Sequence, residues 1–275
     1  MTAIHSATLE VRGLQKTYVS HSRQVEAIRE LSFTATAGEM VCVVGPSGAG
    51  KTTLLRCIAG LLDASGGSVL LGGERVTGPP RDMAVVFQEY GRSLFPWMTV
   101  WQNVELPLKE KKLPKAERKR LVEESLRSVD LADVHAAHPW QLSGGMQQRV
   151  AIARAIAYEP DVMLMDEPFA AVDAQTRAEL EDLVLALWRR LGVTVVFVTH
   201  DIDEAVYLGQ RVLVLSNSPT VLLDDVTIDL PAERDQLTTR SAPRFSQLRG
   251  HVYDLVQRAK RGYRPEPQNS GAQAR

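Results

Sequence analysis

The sequence MVCVVGPSGAGKTT occupies residues 40–53 and combines two patterns. Met40–Val44 is continuously apolar, which is typical of a strand buried on both faces of a parallel sheet. Gly45–Thr53 fits G-x-x-x-x-G-K-S/T, in which glycines let successive backbone N–H groups point at a phosphate. We expect a helix to follow, from about Lys51 to Ala59. The stretch therefore predicts a strand, a phosphate-binding loop and a helix in succession.

The side chains of this loop suit a nucleotide triphosphate. Lys51 adds a positive charge toward the β- and γ-phosphates, and the Thr52 hydroxyl is suited to ligate Mg²⁺. A Gly-rich turn without a ligand is the alternative, and the flanking strand and helix disfavour it. The residues expected to contact ATP are Gly45, Pro46, Ser47, Gly48, Ala49, Gly50, Lys51, Thr52 and Thr53.

A second apolar strand ends in two carboxylates, in VMLMDE at residues 162–167. Asp166 is expected at the C-terminal edge of the sheet, beside the phosphate loop, where it would hold Mg²⁺ through water. Glu167 would polarise the attacking water as a general base. Many strands end in acidic residues that serve only as structural caps. The pattern therefore indicates a catalytic role only in combination with the phosphate loop upstream.

Composition excludes several classes of protein. The 275 residues include 44% hydrophobic and 24% charged residues, with a formal net charge of −1. This is ordinary for a soluble globular protein and gives no reason to expect a nucleic-acid partner. No run approaches the roughly 18 apolar residues of a membrane span, and the N-terminus lacks a secretory pattern. Cys42 and Cys57 read as small core residues in a reducing compartment.

Strand patterns alternate with helix patterns, which predicts a largely parallel sheet. We expect an α/β core in two segments, residues 7–90 and 159–230. Residues 91–158 are strand-poor and predict an inserted helical subdomain. Residues 231–275 predict one amphipathic helix and a disordered tail. The basic run KEKKLPKAERKR (109–120) is more typical of a solvated helix face than of a lipid or partner contact.

A second anion-binding pattern, LSGG, precedes a long helix at residues 142–145. Ser143, Gly144 and Gly145 would form another helix N-terminus suited to an anion. One nucleotide does not need two such loops on one chain. A simple resolution is that this loop serves a nucleotide held by another copy.

At this point the chain resembles the ATP-binding cassette (ABC) ATPase family, over roughly residues 8–230. Further landmarks occur in the family's order, although Val172 stands where the family more often has Leu. The matching residues are Tyr18, for an aromatic that stacks on adenine; Gln88, for a glutamine that senses Mg²⁺ and water; Asp173, for a loop that touches the partner subunit; and His200, for a histidine that contacts the γ-phosphate.

The resemblance implies an α/β P-loop NTPase core of ABC ATPase type, with an inserted helical subdomain and an N-terminal antiparallel β region. It implies an ATPase that uses ATP and Mg²⁺ and forms a head-to-tail homodimer. The implied catalytic residues are Glu167, His200 and Gln88, and the metal site is Thr52, Gln88 and Asp166. The residues implied to reach ATP in trans are Leu142, Ser143, Gly144, Gly145 and Asp173.

A single nucleotide-binding domain without a fused membrane half resembles bacterial importer subunits. VFQEYGRSLFPWMTVWQNVELPL (86–108) and VLVLSNSPTVLLDDVTIDLP (212–231) resemble the nitrate, sulfonate and taurine importer subgroup, with SNSPT in place of its usual Arg-Pro-Gly turn. Two short strands are expected after that turn. The resemblance implies transmembrane permease subunits as partners, an indirect solute-binding protein, and a position at the cytoplasmic face of the inner membrane.

The sequence leaves three questions open. Phe95, Trp97 and Trp101 would either face the permease or pack the helical subdomain. A soluble ABC ATPase of an assembly pathway has the same motifs and no permease. A binding module that does not hydrolyse ATP is the third possibility, and it is disfavoured by Lys51, Asp166, Glu167 and His200.

Overall fold

The computed structural model describes residues 6–20, 23–88 and 93–263. Its strands are β1 (Leu9–Ser20), β2 (Arg23–Ala35), β3 (Met40–Val44), β4 (Gly66–Leu71), β5 (Glu74–Arg75), β6 (Met83–Val86), β7 (Val162–Asp166), β8 (Thr194–Val198), β9 (Arg211–Leu215) and β10 (Thr220–Thr227). Its α-helices are α1 (Lys51–Ile58), α2 (Val100–Glu105), α3 (Lys115–Ser128), α4 (Gly144–Ala157), α5 (Ala174–Leu191), α6 (Ile202–Leu208), α7 (Thr238–Ser241) and α8 (Pro243–Lys260).

The described strands form one sheet with a parallel part and a mainly antiparallel part. Its order is β5-β4-β1-β2-β10-β9-β3-β8-β7-β6. From β9 to β6 every neighbouring pair is parallel. β1 pairs antiparallel with β2 and β4, and β10 joins the two parts by pairing parallel with β2 and antiparallel with β9. The predicted α/β fold with an N-terminal antiparallel β region is confirmed.

Two apolar cores lie on opposite faces of the parallel part. Along β3, Met40 and Cys42 belong to one core, whereas Val41 and Val43 belong to the other. This alternation follows from the two-residue period of a strand. Every residue of β3, β7 and β8 is buried, as their continuous apolarity predicts. Cys42 and Cys57 are buried free thiols, which confirms their assignment as core residues.

Helices α2, α3 and α4 lie between β6 and β7 in the chain, where the described residues contain no strand. Two residues of the basic run are paired within their own helix. Arg120 forms ion pairs with Glu117 and Glu124, and Lys119 pairs with Glu123. Such pairing is typical of a solvated helix face.

The structure departs from the sequence expectations in two places. The SNSPT turn is followed by one strand, β10, with a register irregularity between Leu222 and Asp224, and the expectation of two short strands is wrong. The C-terminal region contains the short helix α7 in addition to the expected helix, α8. The expected boundary at residues 90–91 lies outside the described residues, as does the expected disordered tail (261–275) beyond its first three residues. None of the described helices combines the length and apolarity needed to span a bilayer.

Candidate nucleotide site

A cleft of about 820 Å³ opens at the edge of the sheet where the parallel strands end. The C-terminal ends of β3, β6, β7 and β8 meet there, which is where open α/β sheets bind ligands. The predicted residues that line the cleft are Tyr18, Gln88, Glu167, His200 and all nine residues from Gly45 to Thr53.

The phosphate loop turns sharply between β3 and α1. Gly50 precedes the helix with a φ of 69°, and Gly48 has a φ of 77°. Residues that carry a side chain rarely adopt this left-handed backbone conformation, so glycine suits both positions. The turn directs the N-terminus of α1, with its unpaired N–H groups, into the cleft.

Lys51 is the cation of the loop and is only 7% exposed. Its Nζ donates to the carbonyl oxygens of Gly45 at 3.1 Å and Pro46 at 3.2 Å, and lies 3.8 Å from Glu167 Oε1. Burial lowers the pKa of Lys51, and the charges of Glu167 and Asp166 oppose that shift. Lys51 thus lies where its ammonium would meet an anionic phosphate with little screening.

Thr52 and Asp166 form the second pair of predicted residues. The Thr52 hydroxyl donates to Asp166 Oδ1 at 3.3 Å, and Asp166 is 4% exposed. Burial raises the pKa of Asp166, whereas the Thr52 hydrogen bond and the Lys51 charge lower it. Two adjacent oxygen donors, one of them a carboxylate that a cation would stabilise, fit Mg²⁺. The described residues contain no group of three or more His, Cys, Asp or Glu that could hold a metal alone.

Two of the predicted catalytic residues, His200 and Gln88, contact the carboxylate of the third, Glu167. Glu167 Oε2 lies 2.9 Å from His200 Nδ1 and accepts from Gln88 Nε2 at 3.3 Å. Glu167 has a φ of 43°, and its backbone N–H donates to the Val198 carbonyl at 2.8 Å. A non-glycine residue in this region costs about 1–3 kcal/mol, and such strain is concentrated at functional sites. The backbone thus presents Glu167 toward the cleft at the start of the loop after β7.

Tyr18 lies on the rim of the cleft and is 42% exposed. Its hydroxyl is 3.2 Å from Thr53 Oγ1, and Lys16 Nζ is 5.2 Å from its ring centroid. An aromatic ring beside the first turn of α1 is suited to stack on a base. Adenine stacking by Tyr18 stays a prediction.

The residues predicted to act in trans do not line this cleft. Ser143 caps α4, with its Oγ accepting from the Met146 N–H at 3.3 Å. Asp173 caps α5 through the Thr176 N–H at 3.0 Å and hydroxyl at 2.7 Å, and these hydrogen bonds lower the pKa of Asp173. A Cβ on Gly145 would lie 2.4 Å from Thr176 Cγ2, so the LSGG loop and the Asp173 loop touch each other. Leu142 is 9% exposed, and Gly144 begins α4.

Several residues of the cleft gave no signal in the sequence. They come from β2, from the turn before β10 and from the last turn of α8, which are far from the motifs in the chain. Their ordinary apolar or polar identities match no binding pattern. These residues are Val25, Ala27, Ser218, Val256 and Lys260.

Comparisons with known proteins match the chain to one family. The family model described as ABC transporter matches residues 28–170. The nitrate import ATP-binding protein of Synechocystis is 45% identical over 253 residues, which cover 90% of this chain and 94% of the relative. The aliphatic sulfonates import ATP-binding protein of Bacillus cereus is 38% identical, covering 91% and 96%. The taurine import ATP-binding protein of Roseobacter denitrificans is 40% identical, covering 84% and 87%.

A solved structure shares the fold. It is a dimer of an ATP-binding cassette in a post-hydrolysis state with ADP and phosphate bound. It aligns with a TM-score of 0.72 and 33% identity over 81% of this chain and all of that chain. The chain belongs to the ABC transporter family and is one of its ATP-binding, ATP-hydrolysing proteins.

Proposed function

We propose that the protein is the ATPase subunit of a bacterial ABC importer and drives uptake through a separate permease. The observation that carries this proposal is the similarity to import ATP-binding proteins along nearly the whole length of both chains. Those relatives are named for nitrate, sulfonate and taurine, so the cargo we propose is a small anion or zwitterion of that kind. Such a subunit would lie at the cytoplasmic face of the inner membrane and serve a solute-binding protein indirectly.

The working form we propose is a head-to-tail dimer with two nucleotides at its interface. Two observations support it: the similar cassette is a dimer, and Ser143 and Asp173 lie outside the cleft that holds the phosphate loop. In a head-to-tail arrangement the LSGG loop of one chain would cover the cleft of the other. ATP would hold the two surfaces together, and hydrolysis would remove the bridging γ-phosphate.

The chemistry we propose is attack of a water molecule on the γ-phosphate, which breaks its bond to the bridging β-phosphate oxygen and releases ADP and phosphate. Glu167 accepts the proton of that water, and His200 and Gln88 fix the orientation of the carboxylate. Lys51 binds the β- and γ-phosphates, and displacement of its bonds to the loop carbonyls accompanies binding. Thr52, Asp166 and Gln88 would hold Mg²⁺, which neutralises phosphate charge in reactions of this class.

The permease contact we propose is centred on Trp97. Its side chain is 70% exposed and lies 5.4 Å from the Phe95 ring, whereas Trp101 is partly buried against His135. Trp101 therefore packs within the helical region, and Trp97 is left for a partner. A crosslinker at position 97 should capture the permease in an assembled complex, and a crosslinker at exposed Leu237 serves as the control.

Reconstitution tests the function. The chain is purified with a permease that co-purifies with it and placed in proteoliposomes that contain ATP, with binding protein and labelled nitrate, sulfonate or taurine outside. ATP-dependent uptake of one of these solutes is expected, and it should disappear with Glu167→Gln. A chain that hydrolyses ATP, binds no permease and supports no uptake would instead be a soluble assembly ATPase.

A further inference from the structure

The C-terminal helix α8 reaches the nucleotide cleft. Val256 and Lys260 lie four residues apart on its last turns and both line the cavity that contains Tyr18 and the phosphate loop. Residues four apart share one face of a helix, so α8 presents one apolar and one cationic side chain to the same space. Val256 is 7% exposed, and Lys260 is exposed at the rim.

Hydrogen bonds from the segment between β9 and the start of β10 connect the end of α8 to the phosphate loop. Asn217 Nδ2 donates to the carbonyl oxygens of Ala259 at 2.8 Å and Lys260 at 3.3 Å. In the same turn region, the Thr220 hydroxyl donates to the Ala49 carbonyl at 2.8 Å, and Thr220 is fully buried. The turn between β9 and β10 therefore fixes the C-terminus of α8 and the phosphate loop relative to each other.

The charges around the cleft leave Lys260 available for an anion. Lys51 already faces Glu167 at 3.8 Å, so part of its charge is matched within the protein. Lys260 makes no ion pair with any residue in the described part of the chain. Its neighbour Arg258 lines no part of the cleft and pairs with Asp254 at 2.8 Å.

We propose that Lys260 is a nucleotide-binding residue, whose ammonium attracts the phosphate chain of ATP while Val256 supplies part of the apolar wall of the cleft. The C-terminal helix is then a component of the ATP site in each chain. This inference depends on ATP binding by the chain alone and is independent of any permease or transported solute.

Calorimetric titration of the isolated protein with MgATP tests the proposal. We expect Lys260→Ala to weaken ATP binding by about two- to fivefold, which is the range of a single exposed charge contact, and Lys260→Glu by about tenfold. Both losses should shrink as ionic strength rises from about 0.05 M to about 0.5 M, because salt screens exposed charges. The matched control is Arg258→Ala, which removes a neighbouring charge outside the cleft and should leave the affinity unchanged.

Thermal unfolding of each variant separates binding from folding. Equal melting temperatures with the expected affinity losses support the role of Lys260. The proposal is wrong if Lys260→Glu binds MgATP as tightly as the wild type, or if Arg258→Ala weakens binding as much as Lys260→Ala. A loss that does not change with salt would also overturn it, since that loss would be structural.

Discussion

At the scale of single residues, the site depends on how Glu167 is held. Its carboxylate faces Lys51, Gln88 and His200 together, and its backbone is fixed in the left-handed region by Val198. Restraint of this kind positions a base before substrate arrives, so no reorientation is required during the reaction. The amide of glutamine would fit the same space but would not accept a proton.

Glu167→Gln should therefore abolish turnover and retain ATP binding. Loss of a general base lowers rates by about 10²–10⁴-fold, whereas the phosphate contacts of Lys51 and the loop are unchanged. Phosphate release measures turnover, and calorimetry measures binding. Lys51→Ala is the contrasting variant, since it should lose affinity through loss of positive charge. Turnover near the wild-type rate in Glu167→Gln would exclude Glu167 as the base.

Sequence motifs located these residues but not their mutual geometry. The motif around Lys51 predicts a phosphate contact, and the structure adds its bonds to the carbonyls of Gly45 and Pro46. The strained φ of Glu167 left no trace in the sequence, because glutamate is an ordinary residue after a strand. Contacts between motifs that are over a hundred residues apart arise only once the sheet has assembled.

Glu204, which lies near this site, makes the stability of the protein depend on pH. It is buried on α6, four residues after His200, where Thr199 donates to it at 2.6 Å and Arg177 Nε lies 3.5 Å away. Burial, aided by the charges of Asp201 and Glu181, raises the pKa of Glu204 from 4.5 to about 7 despite the Thr199 hydrogen bond and the Arg177 charge, which lower it. The folded state therefore binds this proton more tightly than the unfolded state, and stability is lost as pH rises from 4.5 toward 7.

Glu204→Gln should remove that loss. We expect the variant to gain stability relative to the wild type between about pH 5 and about pH 8, by up to about 3 kcal/mol. Urea unfolding of both proteins at each pH measures the difference in free energy of unfolding. The same substitution at exposed Glu233 should show no such trend. A difference between Glu204→Gln and wild type that stays constant with pH would contradict the assignment.

At the scale of elements, α4 and α5 meet at their N-termini. Gly145 in the first turn of α4 faces Thr176 in the first turn of α5, and Thr176 in turn anchors the capping carboxylate of Asp173. The two loops expected to reach a partner's nucleotide therefore share one packing contact. A displacement of either loop would be transmitted to the other.

Gly145→Ala should disturb this contact, and Thr176→Ser should relieve it. The new Cβ would lie 2.4 Å from Thr176 Cγ2, and overpacking of this kind costs about 1–3 kcal/mol. Serine lacks that methyl group and keeps the hydroxyl that bonds Asp173. Urea unfolding of both single variants and the double variant measures the coupling. If the losses in free energy of unfolding are additive in the double variant, the contact between residue 145 and the Thr176 methyl group does not limit packing.

Elements were predictable where local pattern decides them. β3 occupies the predicted range Met40–Val44, and β7 (Val162–Asp166) lies within the stretch VMLMDE, because continuous apolar runs mark buried strands. The short helix α7 was missed because four residues carry too little periodicity. One strand, β10, stands where two short strands were expected, because its pairing with β9 continues across the irregularity at Leu222.

At the scale of the whole molecule, one chain carries two halves of a site that do not meet. The phosphate loop opens into the cleft, whereas Ser143 and Asp173 are exposed at helix N-termini elsewhere. The order of strands in the sheet and the approach of α8 to the cleft could not be read from the sequence, since both depend on pairing between distant segments. Head-to-tail pairing of two chains would complete two sites at once.

Complementation between two inactive chains tests that pairing. Lys51→Ala disables the loop and Ser143→Arg disables the LSGG cap, so neither homodimer should hydrolyse ATP. In a mixed dimer, the intact loop of the Ser143→Arg chain faces the intact cap of the Lys51→Ala chain. Random mixing makes half of the dimers mixed, each with one intact site of two, so the mixture should regain about a quarter of the wild-type rate.

The control places both changes on one chain. A Lys51→Ala/Ser143→Arg chain mixed with wild type forms mixed dimers in which neither site has both halves intact. That mixture should therefore show only the activity of the remaining wild-type dimers. In a random equal mixture those dimers give about a quarter of the wild-type rate, whereas about half would remain if each chain completed its own site. Recovery in the first mixture, together with a quarter and not a half in the second, requires that each ATP lies between two chains. If the two single variants stay inactive when mixed, while light scattering shows that they form dimers with ATP, each chain would have to complete its own site.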